Sequence, residues 1–391
     1  MLLLKCDPKK GIWIEEEEGV DRLRKNFFGS YTKGKLWLQI EEALYLVAFQ
    51  NAHCYQKDKR ISWGELASLF PEKELFTRYN AFRDWRDRGL IIERFHQRKG
   101  ESEKSLRKYP SKPLHKKKLK CSAWWHPDDL AAVIEDPTIG KELFESHWIG
   151  QFGVYKQDRG DLLTIDFLET LFLSTHFDLQ VKDINTGKKV SPAKILDSIT
   201  KKREYAKQMY DVYEDWRLRG YIVKTGFKFG SHFRIYFPGA SPGKEGTYVH
   251  SRHVLHVFPK EQKLLISEWA RAVRVAHGVK KTFLLGIPEL SEKDYIPVDA
   301  EFIAYRRKKK SGNLVRETPE DRPRYLVTAV AEDEHIGGIE LASLLKKAHD
   351  LNLELILSIG DRETAITYYI LKKIQLMSSE QEYYEIEWMK P

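Results

Sequence analysis

Trp269-Ala-Arg-Ala-Val-Arg-Val-Ala-His277 recurs as Leu341-Ala-Ser-Leu-Leu-Lys-Lys-Ala-His349, at a constant offset of 72 and without a gap. In both copies the apolar residues fall at i, i+3, i+4 and i+7: Trp269, Ala272, Val273 and Ala276, then Leu341, Leu344, Leu345 and Ala348. That spacing draws one apolar stripe along a helix. Apolar runs flank each copy, 254–258 and 282–287 in the first, 325–330 and 353–359 in the second. The spacing therefore predicts a strand-helix-strand lobe used twice, and the expected class is α+β with a central mixed sheet in each lobe.

A second repeat lies upstream at an offset of 131, where Tyr79 to Ile92 matches Tyr210 to Val223 through Asp84-Trp85-Arg86 and Asp215-Trp216-Arg217. Each copy reads as a helix stopped by Gly89 or Gly220 at the C′ position, followed by a strand. Phe28-Gly29-Ser-Tyr31 and Phe152-Gly153-Val-Tyr155 look like matching lead-ins, and residues 130–148 read as a helix pair with Pro127 and Asp128 near its start. The resulting layout is an N-terminal unit, 1–147, then a unit at 148–308 with a helical lobe (148–223) and a strand-rich lobe (224–308). A degenerate lobe at 309–391 follows, after a charged linker at 308–321.

Composition narrows the function classes. The chain has 391 residues and a net charge of +9; residues 94–120 carry 11 Lys/Arg against two acids, as large a surplus as that of the whole chain. A local basic stretch broken by Gly100, Pro110 and Pro113 reads as a connector, either tracking a polyanion or simply solvated. Three widely spaced cysteines, Cys6, Cys54 and Cys121, suggest neither disulfides nor a zinc site. With no long apolar run, the expected location is the cytoplasm.

The polar residues of the middle unit stand out because the repeat supplies its own control. At the 72-residue offset His250 falls on Arg322 and Lys281 on Leu353, while the apolar stripe persists. Tyr236 has no counterpart if the third unit starts after it. A packing role would have been needed twice, so the loss of the histidine and the lysine favours chemistry. A ribose 2′-OH attacking its own phosphate needs a base, an acid for the leaving 5′-oxygen, and positive charge beside the phosphorane. An imidazole titrates near neutral pH and suits the acid. Tyr236 serves as base only with a cation such as Lys281 beside it, or else it positions the substrate.

Tyr210 to Ile222, Lys224-Thr-Gly-Phe-Lys-Phe-Gly230, Phe233-Arg-Ile-Tyr236, His250-Ser251 and Val273-Arg-Val-Ala-His277 with Lys281 together resemble the archaeal tRNA-splicing endonuclease family. The resemblance covers most of the middle unit and implies a catalytic trio of Tyr236, His250 and Lys281, with no metal and no cofactor. It also implies cleavage of precursor tRNA at bulge-helix-bulge motifs, leaving 2′,3′-cyclic phosphate and 5′-hydroxyl ends. Arg274, with Arg306 or Arg307, would sandwich a bulge base. The layout resembles the three-unit, single-chain version, which implies a homodimer docked partly through a hairpin bearing Asp361 and Glu363, where Arg362 weakens the expected acidic run. Two rivals remain at this level. One is a metal-dependent nuclease, for which Glu261-Gln262-Lys263 has the right form but lacks its partner acids. The other is a structured-RNA-binding protein without catalysis.

Overall fold

A computed structural model of the chain describes residues 1–96, 106–154, 159–242 and 250–391. Its α+β architecture is two small lobes, each with its own six-stranded sheet, set against one long mixed sheet. The two small lobes are the same object. In the first, the strands Leu3–Asp7, Gly11–Ile14, Ser30–Thr32, Lys35–Leu38, His53–Gln56 and Lys59–Ile61 build a sheet whose strand order is matched one for one in the second. The second uses Ser122–His126, Ala131–Ile134, Gln151–Phe152, Leu163–Asp166, Gln180–Asp183 and Lys189–Val190.

This overturns three expectations. Residues 130–148 are not a helix pair: Ser122–His126 and Ala131–Ile134 pair as antiparallel strands, and one helix follows at Pro137–His147. Alternate residues in those strands are buried, a period of two carried by only four or five residues each. The helix starts at Asp136-Pro137, where the Asp136 carboxylate accepts the Ile139 N–H at 3.0 Å, rather than near Pro127. The boundary placed at 147/148 consequently cuts through a sheet, since Ser122–His126 pairs in parallel with Gln180–Asp183. Lastly, the partner of Gly29 is Gly150, not Gly153. Gly29 donates its N–H to Glu42 and Gly150 to Glu169, both at 2.9 Å. Both glycines have positive φ, and a Cβ would lie 2.5 Å from the Trp37 carbonyl or 2.6 Å from that of Thr164. Tyr155 lies outside the described residues.

Both lobes end on the expected helices, Leu75–Asp87 and Ala206–Leu218, each stopped by a positive-φ glycine, Gly89 or Gly220. Trp85 and Trp216 are fully buried on these helices. The chain then enters the long sheet, whose central path runs through Ile222–Thr225, Phe233–Tyr236, His253–Val257, Thr282–Ile287, Glu382–Met389, Ile366–Leu376, Glu354–Gly360, Tyr325–Ala331, Phe302–Ala304 and Ile92–Arg94. The helices Ile266–Gly278 and Gly338–Asp350 pack on it 72 residues apart, end for end. The match reaches individual backbone groups: Lys280 and Asn352 share a positive φ, and Lys281 and Leu353 each donate their N–H to an alanine carbonyl, Ala276 or Ala348.

The degenerate lobe begins earlier than residue 309, because Phe302–Ala304 pairs with Tyr325–Ala331 on one side and Ile92–Arg94 on the other. The N-terminal lobe and the C-terminal strands thus form one half of the long sheet, and the middle of the chain forms the other. Two stretches expected to be irregular are partly ordered. Arg107–Tyr109, from the basic connector, adds in parallel to the far end of Ile366–Leu376, with Arg107 ion-paired to Glu385 at 2.6 Å. The supposed linker at 308–321 contains a two-stranded hairpin, Arg307–Lys310 with Asn313–Arg316. Among the described residues no helix is long and apolar enough to cross a membrane.

Candidate active site

Three neighbouring strands bring the sequence-identified trio to one end of the long sheet. Ile235 pairs with His253, and His253 pairs with Thr282. Continuing each register by one residue sets Tyr236, Arg252 and Lys281 level across the three strands, with His250-Ser251 leading into the middle one. The Thr282 N–H donates to the Arg252 carbonyl at 3.0 Å and fixes this level. A pocket of about 310 Å³ opens here, lined by Tyr236, Phe237, Pro238, Ala240, His250 and Arg252.

Each side chain is held differently. Tyr236 is only 4% exposed, its ring 4.7 Å from that of Trp148 and 5.9 Å from the Arg234 guanidinium. His250 is exposed at the pocket rim. Lys281 does not line the pocket; it is joined to it through Ser251, donating from Nζ to the Ser251 carbonyl and, at 2.9 Å, to its hydroxyl. The Phe229 ring lies 5.2 Å from that ammonium. Burial, and then the positive charge of Arg234, push the Lys281 pKa down from its ordinary value. A half-buried lysine beside a second cation is a charge that a phosphate would complement.

Behind the pocket, three histidines are held neutral. His253 is pushed down to about 4, by burial first and then by Arg107, Arg252 and Lys281. Burial also lowers His232 to about 4 and His256 to about 3. Of the three, His253 is buried and His232 and His256 are half-buried. His232 has a defined task, its Nδ1 accepting the Val257 N–H at 2.8 Å.

The predicted RNA-stacking arginines are not brought together within one chain. Arg274 is exposed on the helix Ile266–Gly278. Arg306 follows the strand Phe302–Ala304, seven strand steps from the strand of Tyr236, or roughly 30 Å across the sheet. Its guanidinium approaches Glu317 at 4.0 Å. Asp361 closes the turn between Glu354–Gly360 and Ile366–Leu376, its Oδ1 accepting the N–H groups of Glu363 and Ala365 at 2.9 Å each. Arg362 leans on Glu332 at 3.6 Å.

Tyr236 does have a counterpart, against expectation. Phe302–Ala304 pairs with its neighbour in the register that Phe233–Ile235 uses, so Tyr305 occupies the position of Tyr236. Its offset is 69 rather than 72, because the connection to the next strand is three residues longer, and an ungapped comparison passes over it. Tyr305 is fully buried and donates to Glu93 at 3.1 Å. Sequence reasoning also missed Trp148 and Arg234 as neighbours of Tyr236, and the role of Ser251 as the acceptor for Lys281. The quoted His-Ser dipeptide was the available signal for the last.

A profile of the tRNA intron endonuclease catalytic C-terminal domain matches residues 206–298, the segment that holds the trio. The tRNA-splicing endonuclease of Methanothermobacter thermautotrophicus is 32% identical over 157 residues, 40% of this chain and 84% of the relative. The chain belongs to the tRNA-splicing endonuclease family. The enzyme of Methanopyrus kandleri is 32% identical over 179 residues, covering 46% of this chain and 92% of its own length, and that of Thermococcus kodakarensis is 36% identical over 126 residues, or 32% and 69%. More than half of this tRNA-splicing endonuclease family chain lies outside each of these three alignments.

Proposed function

We propose that this endonuclease excises introns from precursor tRNA in the cytoplasm, cutting at bulge-helix-bulge motifs by a metal-independent transesterification. One observation carries the reading: Tyr236, His250 and the Ser251-held Lys281 meet at the ends of three adjacent strands, within the segment that matches the family's catalytic domain. In this reading Tyr236, as its phenolate, takes the proton from the 2′-OH that attacks the adjacent phosphorus. The P–O5′ bond breaks as His250 gives the 5′-oxygen its proton, and a 2′,3′-cyclic phosphate and a 5′-hydroxyl leave the site. Lys281 exchanges its Ser251 contacts for the phosphorane oxygens and stabilises the charge that builds there. The nearly buried phenol of Tyr236 suits a group that must be aimed before it acts. Arg274 of one chain would meet Arg306 only across a homodimer, and the hairpin with Asp361 and Glu363 would be one of its contacts. In that assembly the N-terminal unit, the catalytic unit and the C-terminal strands work as three units on one polypeptide.

Cleavage of a bulge-helix-bulge RNA should persist in EDTA and give cyclic-phosphate ends by end-group analysis. The His250→Ala variant should still bind the RNA while its single-turnover rate falls by ~10²–10⁴-fold. Strict dependence on magnesium, or undiminished cutting by that variant, would sink the mechanism.

A further inference from the structure

The connection that builds the active site in the catalytic half has become something else in the other half. Between Phe233–Tyr236 and His253–Val257 the chain supplies Phe237, Pro238, Ala240, His250 and Arg252 to the pocket. The equivalent connection, between Phe302–Ala304 and Tyr325–Ala331, projects the hairpin Arg307–Lys310 with Asn313–Arg316. Ser311 and Gly312 at its tip both have positive φ, as a tight two-residue turn requires.

This ribbon is poorly explained as scaffold. Its ten residues include five cations and no acid. Arg307 lies directly opposite Arg316, a like-charge pairing that opposes the hairpin's own stability. Leu314 is 68% exposed, Val315 is 41% exposed, and an isolated two-stranded hairpin is marginal in water. What holds it is its base: Arg307 donates to the Arg88 carbonyl, Arg316 lies 5.7 Å from the Phe27 ring, and Lys308 pairs with Asp321. Lys309 and Lys310 stand exposed beyond that anchorage.

We propose that this hairpin is a second RNA-binding element, gripping the sugar-phosphate backbone of a double-helical part of the substrate away from the cut. This rests on the endonuclease reading above. A narrow twisted ribbon with cations on both faces fits the shallow minor groove of an A-form helix, where phosphates and 2′-hydroxyls are the accessible partners. The ribbon reads shape rather than sequence, because lysines on phosphate carry no base information. A non-catalytic half that kept its sheet but lost His250 and Lys281 equivalents thereby contributes affinity instead of chemistry.

The test uses the full chain carrying His250→Ala, so that binding of a precursor tRNA is measured without cleavage, by filter binding over a series of salt concentrations. Adding Lys309→Ala and Lys310→Ala should weaken binding about tenfold at low salt and reduce the salt slope by ~1–2, while Lys309→Arg with Lys310→Arg should retain both. An unchanged affinity and slope would overturn the proposal. So would a loss that appears only together with dissociation of a second copy by size-exclusion chromatography, which would mark the hairpin as a protein contact. The endonuclease reading fails separately, if the unmodified chain does not cut the same RNA.

Discussion

The two halves of the long sheet share four strands in matching order and one helix, the second half adding Ile366–Leu376 and Glu382–Met389, yet the side chains at the shared strand ends differ. Where the catalytic half has Lys281 reaching Ser251, the other has Leu353, 7% exposed. Where one has His250 at a pocket rim, the other has Arg322. The tyrosine alone persists, as Tyr305, and it has turned inward to Glu93. The fold therefore does not need the trio. What it does need is an acceptor for one strand N–H: His232 receives that of Val257, and Glu301, its equivalent by register, receives that of Ala329 at 3.1 Å. Chemistry was free to change between the halves, whereas that hydrogen bond was kept with a different residue type.

The comparison can be broken most directly at residue 281. Giving the catalytic half the other half's residue, Lys281→Leu, should lower the single-turnover cleavage rate by ~10²–10³-fold, since in the proposed reaction it removes the charge beside the phosphorane. The melting temperature should hold, because the same backbone already accepts leucine at 353. A rate within a few-fold of the parent would show that the two strand ends differ by drift. The tyrosines give a smaller contrast. Tyr236→Phe should slow cleavage by roughly tenfold or more, whereas Tyr305→Phe should leave the rate alone and cost about 1 kcal/mol of stability through its bond to Glu93. Equal effects on cleavage would mean that Tyr236 only fills space.

The pair His232 and Glu301 sharpens the comparison in pH. Burial lowers His232 from 6.5 to about 4, so between these values the unfolded chain holds a proton that the folded chain lacks, and stability falls as pH falls through that window. Burial raises Glu301 from 4.5 to about 7, so here the folded chain holds the extra proton, and stability falls as pH rises. Each window spans about 3 kcal/mol, an order-of-magnitude figure. Glu301→Gln should raise the melting temperature at pH 8 and leave it unchanged at pH 4; His232→Asn should flatten the acid limb between pH 4 and 6.5. Variants that keep the parental slopes would show that these groups are solvated in the folded chain.

The features legible in the sequence were those carried by long or repeated elements. The helices Ile266–Gly278 and Gly338–Asp350 declared themselves by a four-residue apolar stripe seen twice, and Leu75–Asp87 and Ala206–Leu218 by their terminal glycines. Tyr236, His250 and Lys281 were singled out by resemblance, the last two also by their loss in the second copy, and the register sets Tyr236 and Lys281 level on strands either side of the one that His250-Ser251 leads into. The short strands Ser122–His126 and Ala131–Ile134 were not, because four or five alternating residues do not separate period two from chance. Tyr305 stayed hidden behind a three-residue change in loop length. Ser251 was missed as the lysine's acceptor because a carbonyl has no signature in sequence and a serine has a weak one.

The strand Ile92–Arg94 joins the N-terminal lobe to Phe302–Ala304, across some two hundred intervening residues. On a ribosome this imposes an order of events. The middle of the chain, with Tyr236, His250 and Lys281, emerges and can pack while Ile92–Arg94 still waits for its partner strand. The half without chemistry closes only after residues beyond 302 have been made, and it does so by adding Glu382–Met389 beside Thr282–Ile287. An unfinished chain can thus present Tyr236, His250 and Lys281 before the hairpin Arg307–Lys310 with Asn313–Arg316 has been made.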